Sequence, residues 1–226
     1  MKKTLLLFAM GCTLQVSYAQ NELSRPDVPG ELMIDIGLNY LTETPSELTQ
    51  RGWPSKSIGL YYTKRKILNR NFVFNYGLGL GLEKLDFGNQ HTLIQDGDEL
   101  IVDEFPFSDS PSKNRLAITY FESPLEMRFY PKGTEDGRGW FFSVGTIGGL
   151  RLSSHTKWKY PEDGNDRVQK ISGSFDLNQF RYGYQLRFGF RGSHVFFKQY
   201  LSDVFNNPVE GTNPRMFTVG INLSGF

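Results

Sequence analysis

Apolar and polar residues alternate along most of the chain after residue 30. In 180–191 the even positions carry Phe, Tyr and Leu, whereas the odd positions carry Arg, Gly and Gln. Successive side chains of a β-strand point to opposite faces, so this alternation predicts strands with one apolar and one polar face. Eight segments are predicted as strands in this way: 31–41, 57–65, 71–85, 116–130, 140–152, 180–191, 194–201 and 216–224.

The alternation changes phase inside the fourth predicted strand. Apolar residues occupy even positions in 116–120 and odd positions in 121–129. Pro124 cannot donate a backbone hydrogen bond, and a β-bulge beside it would switch the phase of the strand. We therefore expect a bulge near Pro124. The charged residues expected on the polar face are Glu122, Glu126 and Arg128.

The predicted connections between strands are of two kinds. Short connections at 66–70, 131–138 and 192–193 alternate with long ones at 41–54, 86–115, 155–176 and 202–214. This alternation is typical of outer-membrane barrels, which have short periplasmic turns and longer extracellular loops. Inside the second long connection, 92–95 and 100–104 predict a hairpin.

The two faces of the predicted strands distinguish a membrane barrel from a soluble sheet. A soluble sandwich or lipocalin-like barrel places large apolar side chains inside. Here the polar face is made of charged residues and small ones, and the apolar face is rich in aromatic residues, which suits contact with lipid. The glycines on the polar face are Gly37, Gly59, Gly77, Gly79, Gly81, Gly145, Gly149, Gly183, Gly189 and Gly220. The predicted fold is an all-β, eight-stranded antiparallel transmembrane β-barrel.

The first twenty residues have the features of a secretory signal peptide. Lys2 and Lys3 precede an apolar run, and Ser17-Tyr18-Ala19 is a small-residue cleavage site. We predict a signal peptide at 1–19, a periplasmic segment at 20–30 and the barrel at 31–226, in the bacterial outer membrane. The apolar run is too short for a transmembrane helix. A lipoprotein acylated at Cys12 is the alternative.

Composition excludes several classes of function. The net charge of +1 gives no basic excess for binding nucleic acid. Cys12 is the only cysteine, so cleavage after Ala19 would leave a chain without disulfides, thiolate metal sites or a cysteine nucleophile. We expect no cofactor. The expected partners are outer-membrane lipid and, as candidates, other outer-membrane or periplasmic proteins.

Several stretches resemble a known family. The residues 77–84 (GLGLGLEK), 120–130, 154–160 (SHTKWKY), 175–183 (FDLNQFRYG) and 217–226 carry this resemblance. They are similar to outer-membrane β-barrel proteins common in Bacteroidetes, called PorT-like or outer membrane protein beta-barrel domain proteins. The resemblance covers nearly all of 31–226 and implies the barrel fold and the outer-membrane location. Most members have no assigned activity, so it implies no catalytic residues, and some relatives belong to a protein-secretion apparatus.

The charged residues of the polar face form the main candidate site. They are Asp35, Glu83, Glu122, Glu126, Arg128, Arg151, Arg181, Arg187 and Arg191. An eight-stranded barrel is only wide enough for its own side chains, and buried charges need partners, so we interpret this set as ion pairs that fill the barrel. The alternative is a narrow path that conducts anions or protons.

Other candidate sites have weaker patterns. Asp96, Asp98 and Glu99 form a candidate calcium site, although Asp-Gly pairs are also usual in solvated turns. His91, His155 and His194 lack the spacing of metal ligands.

Asp109 and Ser110, with His91, imitate a serine hydrolase dyad without a nucleophile motif. We therefore expect a non-enzymatic barrel with a structural or surface-interaction role. The alternative is an accessory subunit of a larger outer-membrane complex, such as a protein-secretion or assembly machine.

Overall fold

The chain folds as an all-β antiparallel protein. The computed structural model describes residues 30–45, 48–88, 91–96, 99–105, 111–133, 139–162, 165–190, 192–209 and 211–224, with the backbone alone at 95, 96 and 99. The strands are β1 (Glu31–Thr42), β2 (Lys56–Ile67), β3 (Phe72–Asp86), β4 (His91–Asp96), β5 (Glu99–Glu104), β6 (Lys113–Phe129), β7 (Trp140–Glu162), β8 (Asn165–Ser172), β9 (Phe180–Phe190), β10 (Ser193–Asp203) and β11 (Arg215–Ser224). The described residues include no helix with the length and apolar character needed to cross a membrane.

Eight of the strands have a hydrogen-bonded neighbour on both sides. β2 pairs with β1 and β3, and β6 pairs with β3 and β7. β9 pairs with β7 and β10, and β11 pairs with β10 and β1. All of these pairings are antiparallel.

The predicted alternation is confirmed in these strands. In β9, Phe180 is 69% exposed while its neighbour Arg181 is 4% exposed, and burial alternates in this way to Phe190. In β3, Leu78 is exposed on one face and Asn75 is buried on the other. One face of the sheet is therefore apolar and exposed, whereas the opposite face is buried and carries the charges.

The predicted bulge near Pro124 is wrong. The even positions of β6 are buried along the whole strand, so Tyr120 and Glu122 share the buried face. The register shift lies instead in β7, where Tyr120 pairs with Arg151 but Thr119 pairs with Ser153. Pro124 stays in register with Ile147, and the hydroxyl of the neighbouring Ser123 donates to a carbonyl of β3.

The fifth predicted strand is longer than its prediction. We expected it to end at 152 and the chain to continue as a loop, but β7 continues to Glu162 and pairs with β8. The bulge in β7 moves the buried positions from odd to even numbers, and this change hides the continuation from a search for alternation. The predicted hairpin in the second long connection is confirmed by the pairing of β4 with β5.

An apolar cluster covers the buried face at the end with the long connections. All four long connections contribute to it, because Leu48, Leu93, Phe175 and Phe205 each come from a different one. These side chains pack with apolar residues of the strands, among them Ile118. The apolar even positions of 116–120 thus belong to this cluster. We call it the apolar cap.

Candidate functional site

Arg187 is the centre of a group of buried charges below the apolar cap. Its guanidinium makes two hydrogen bonds of 2.8 Å to the carboxylate of Asp35 and lies 2.7 Å from Glu126. Arg128 reaches the other oxygen of Glu126 at 3.1 Å. Strands β1, β6 and β9 contribute these side chains, and Asp35, Glu126 and Arg187 are at most 3% exposed. We call this group the Arg187 cluster.

The carboxylates of this cluster have further donors. Lys198 lies 2.7 Å from Asp35, and the amide of Asn222 also donates to Asp35. Glu126 accepts from Ser143 and Gln185, each at 3.2 Å. Buried carboxylates are stable only when such donors replace water, so these contacts offset much of the cost of burial.

A second group of charges surrounds Arg181, nearer the apolar cap. Arg181 donates to Glu122 at 3.0 Å and to Glu83 at 2.8 Å. Its guanidinium lies 3.6 Å from the ring centre of Tyr120 and 4.3 Å from that of Tyr200. These rings belong to β6 and β10, so cation–π contacts add to the ion pairs. We call this group the Arg181 cluster.

Tyr61 joins the two clusters. Its hydroxyl accepts from Lys198 at 3.0 Å and donates to Glu122 at 2.7 Å. At the far side, Glu83 accepts from Asn39 at 2.6 Å. The buried face therefore holds one continuous hydrogen-bonded network, which includes four carboxylates (Asp35, Glu83, Glu122, Glu126) and four cations (Arg128, Arg181, Arg187, Lys198).

Glycines give the Arg181 cluster its space. A Cβ at Gly149 would lie 3.1 Å from Cγ of Arg181, and a Cβ at Gly81 would lie 2.9 Å from Nη2 of the same residue. A larger side chain at either position would displace the guanidinium from its carboxylates. Small residues on two strands thus make room for a long side chain from a third.

Seven of the nine charged residues singled out in the sequence lie in this network. They are Asp35, Glu83, Glu122, Glu126, Arg128, Arg181 and Arg187. Arg151 is placed elsewhere, because its guanidinium donates to Ser154 and Gln179 at the start of the β7 extension. Arg191 lies outside the described residues.

Sequence reasoning did not single out Lys198, the fourth cation of the network, or Tyr61, which joins its two clusters. Lys198 has the parity of the buried His194 and Phe196, so the alternation of 194–201 contained the signal for it. Tyr61 has the parity of the buried face of β2, but nothing in the sequence indicates that its hydroxyl connects two groups of charges.

Most residues of the other candidate sites lie outside the described part of the chain. The side chains of Asp96, Asp98 and Glu99 lie outside the described residues, as do Asp109 and Ser110. Within the described ranges, no group of three or more His, Cys, Asp or Glu side chains is placed to hold a metal ion. His194 is buried at the short-turn end, where its ring packs edge-on against Phe141.

The network is suited to rigidity more than to chemistry. Bidentate and charge-assisted hydrogen bonds fix both partners in one geometry. Charges of opposite sign are equal in number, and most carboxylate oxygens lie within hydrogen-bond or ion-pair distance of two donors or more. The apolar cap covers the end of the network at the long connections.

Comparison with known proteins gives one family and one similar structure of note. The family model described as "Outer membrane protein beta-barrel domain" matches residues 18–205. No curated protein matches the chain. Among solved structures, the chain is similar to Ail, the attachment invasion locus protein of Yersinia pestis, crystallised in complex with the heparin analogue sucrose octasulfate. That match has 12% sequence identity and a TM-score of 0.33, and covers 88% of this chain and 100% of the other.

Proposed function

Because the chain belongs to the outer membrane protein beta-barrel domain family, we propose that it is a non-enzymatic barrel filled by its own side chains. In this proposal the eight strands that pair on both sides close into a barrel spanning the bacterial outer membrane. The short turns face the periplasm and the long connections face the cell surface. Its role is structural or one of surface interaction.

The contrast between the two faces of the sheet carries the proposal. The buried face holds ion pairs such as Arg187 with Asp35, in which both side chains are 0% exposed. The exposed face presents a belt of large apolar side chains, of which Leu78, Phe142 and Tyr182 are examples. Soluble proteins rarely expose apolar patches of this extent, whereas lipid hydrocarbon requires them.

The same proposal covers the export of the chain, its group within the family and its lipid surroundings. The chain is exported by a signal peptide that is cleaved after Ala19, and 20–30 forms a periplasmic segment ahead of the barrel at 31–226. The motifs at 154–160 and 175–183 support membership of the PorT-like group of Bacteroidetes. Outer-membrane lipid is the surrounding partner.

Cell fractionation and gel mobility test the proposal. The full chain, expressed in a bacterium with an outer membrane, should sediment with that membrane and migrate differently before and after heating, as folded barrels do. N-terminal sequencing of the exported protein should begin at Gln20. Recovery in the soluble periplasm, with identical mobility before and after heating, would contradict the proposal.

A second candidate function, an accessory subunit of a larger outer-membrane complex, is favoured by one feature of the exposed face. Ser123, Thr146 and Gly148 interrupt the apolar belt on β6 and β7, and a Cβ at Gly148 would have nothing within 4 Å. Small residues allow close approach of another membrane segment. Crosslinking from a cysteine tests this function. An adduct with another membrane protein that forms with Gly148→Cys and not with Leu78→Cys would support it. The same crosslinking result for both variants would favour a barrel that acts alone.

A further inference from the structure

The strands β6, β7 and β8 form an extension beyond the apolar belt whose two faces differ. One face is covered, since Trp158 donates to Thr92 of β4 at 3.1 Å and packs edge-on against Phe105. The opposite face is exposed and basic. We call five basic residues of this face and of β3 the basic patch: Lys84, Arg115, His155, Lys157 and Lys170.

The patch places like charges directly opposite one another. Arg115 pairs with Lys157 across β6 and β7, and Lys157 pairs with Lys170 across β7 and β8. Side chains at such positions are about 5 Å apart at Cβ, so like charges there are destabilising. Asp86 contacts Arg115 at 2.7 Å and neutralises it. On the same face Lys159 is paired with Asp166 at 2.6 Å, and Lys113 lies opposite Lys159. Among the described residues, Lys84, Lys113, Lys157 and Lys170 are therefore left in excess.

The pKa of His155 is affected by the positive charges of this patch. It lies on the same face, beyond the last exposed apolar residue of β7, Leu152. Partial burial lowers the pKa of His155, and the positive charges of Lys170, Lys157 and Lys84 lower it further. Three lysines from three strands are thus close enough to His155 to lower its pKa.

The patch begins where the apolar belt ends. On β3 the exposed apolar positions run from Phe72 to Leu82, and Lys84 is the next residue on that face. With a rise of about 3.4 Å per residue and a tilt of about 40°, this belt is about 26 Å tall, close to the apolar band of membrane barrels. Lys84 then lies at the level of lipid headgroups on the side of the long connections.

We propose that the basic patch binds the phosphate groups of phosphorylated lipids in the outer leaflet. The inference rests on the proposed membrane-spanning barrel, which puts the long connections at the cell surface. Continuity between the patch and the apolar belt selects a lipid over a soluble anion, because the apolar surface holds the acyl chains while the lysines meet the head. A phosphate lying between Lys157 and Lys170 also removes their mutual repulsion.

Lipid binding by the folded full chain tests this inference. The probe is fluorescent lipid A with two phosphates, titrated into the protein in zwitterionic micelles. The triple variant Lys84→Gln, Lys157→Gln, Lys170→Gln should bind roughly 100-fold more weakly, about fivefold for each lysine. A matched triple variant at the opposite end, Lys64→Gln, Lys66→Gln, Lys132→Gln, should bind as the wild type does.

Several results would overturn the inference. Equal losses in the two triple variants would show a general effect of charge, and equal binding of dephosphorylated lipid A would show that phosphate is not recognised. Competition by inorganic phosphate at the concentration of the lipid would assign the patch to a soluble anion. The heat-induced gel shift separates the two proposals: a wild type without it contradicts the barrel and the patch together, whereas a normal shift with phosphate-independent binding contradicts the patch alone.

Discussion

Arg187 shows how tightly single residues are matched in the interior. One guanidinium serves two carboxylates, Asp35 and Glu126, which come from different strands and are fully buried. Charge-assisted, bidentate contacts of this kind are the strongest hydrogen bonds in proteins. Arg187 therefore links β9 to β1 and β6 in addition to balancing the buried carboxylates.

Replacing Arg187 by leucine should destabilise the protein strongly. Asp35 keeps Lys198 and Glu126 keeps Arg128, but the network then holds four carboxylates against three cations. An uncompensated buried charge costs about 3–5 kcal/mol. Urea unfolding in lipid vesicles, followed by gel mobility, measures the change in the free energy of unfolding.

The exposed ion pair between Arg215 and Asp203 provides the control. Its atoms are 2.9 Å apart, but both side chains are in contact with water. Arg215→Leu should unfold close to the wild type, since water solvates the remaining carboxylate. Equal effects of the two substitutions would mean that the interior is hydrated.

Parity along the strands predicted the face of each charge that the structure describes, but not its height along the strand. Arg181 and Arg187 are on the same face of β9, yet they belong to different clusters. Arg151 also has the expected parity, and its height places it beside Ser154 and Gln179 instead of a carboxylate. The height of a side chain relative to those of other strands depends on the offset between neighbouring strands. The pairing of the strands sets this offset, and the local sequence contains no information about it.

Within the strands, inward glycines have two separate roles. Gly81 and Gly149 leave room for Arg181, as the alternation of small and charged residues suggested. Gly145 and Gly183 instead lie against the backbone of the next strand, where a Cβ would be 2.9 Å from Cα of Glu126 and 2.8 Å from Cα of Tyr200. Such close approach accompanies strong curvature of the sheet.

Gly145→Ala and Gly148→Ala should therefore differ, although both glycines are in β7. The first adds a methyl group against backbone and should cost about 1–3 kcal/mol, the usual cost of overpacking. The second adds it on the exposed face, where nothing lies within 4 Å. Its effect should be neutral or slightly stabilising, because alanine orders the strand better than glycine. Equal losses in urea unfolding would contradict the steric account.

A charge in the middle of the apolar belt should also be costly. Leu78 is 54% exposed near the centre of the belt on β3. Leu78→Arg should lower the free energy of unfolding in vesicles by about 2–4 kcal/mol. Phe72→Arg, at the edge of the same belt, should cost much less. If depth made no difference, the belt would not be the surface that contacts hydrocarbon.

The sequence predicted the eight strands that pair on both sides, but it missed β8 and the end of β7 and misplaced the bulge. The phase change in 116–130 had a true cause, but that cause was the apolar cap, which places apolar residues on the buried face of β6 above its charged residues. A bulge was predicted near Pro124 because proline has no backbone N–H to donate. The bulge in β7 lies between Arg151 and Ser153, where no proline or glycine marks it. It is therefore visible only in the pairing of β6 with β7.

At the scale of the whole molecule, charge network and apolar cap follow one another along the interior. The network joins β1, β2, β3, β6, β9 and β10 through side chains, and the cap joins the four long connections. An eight-stranded barrel has little interior space beyond its own side chains. Among the described residues, the two layers occupy successive levels of the buried face.

We therefore expect no appreciable ion conduction in planar lipid bilayers. The wild-type protein should give a flat current trace at 100 mV, and Arg187→Leu should lose stability before it opens a pore. Reproducible single-channel steps from the wild type would contradict this. They would also change the interpretation of the buried charges from structural partners to a selectivity path.

The pairing of β1 with β11 has a consequence for biogenesis. Met33 lies opposite Ser224, so the first described strand finds its second neighbour only when the last one has been synthesised and exported. Until then, two rows of backbone groups lack partners, and each such group costs several kcal/mol in hydrocarbon. Partial insertion is consequently unfavourable at every intermediate length. If the strands close into a barrel as proposed, a chain truncated before β11 should not enter the bilayer, whereas the chain that includes β11 should insert and fold in a single concerted step.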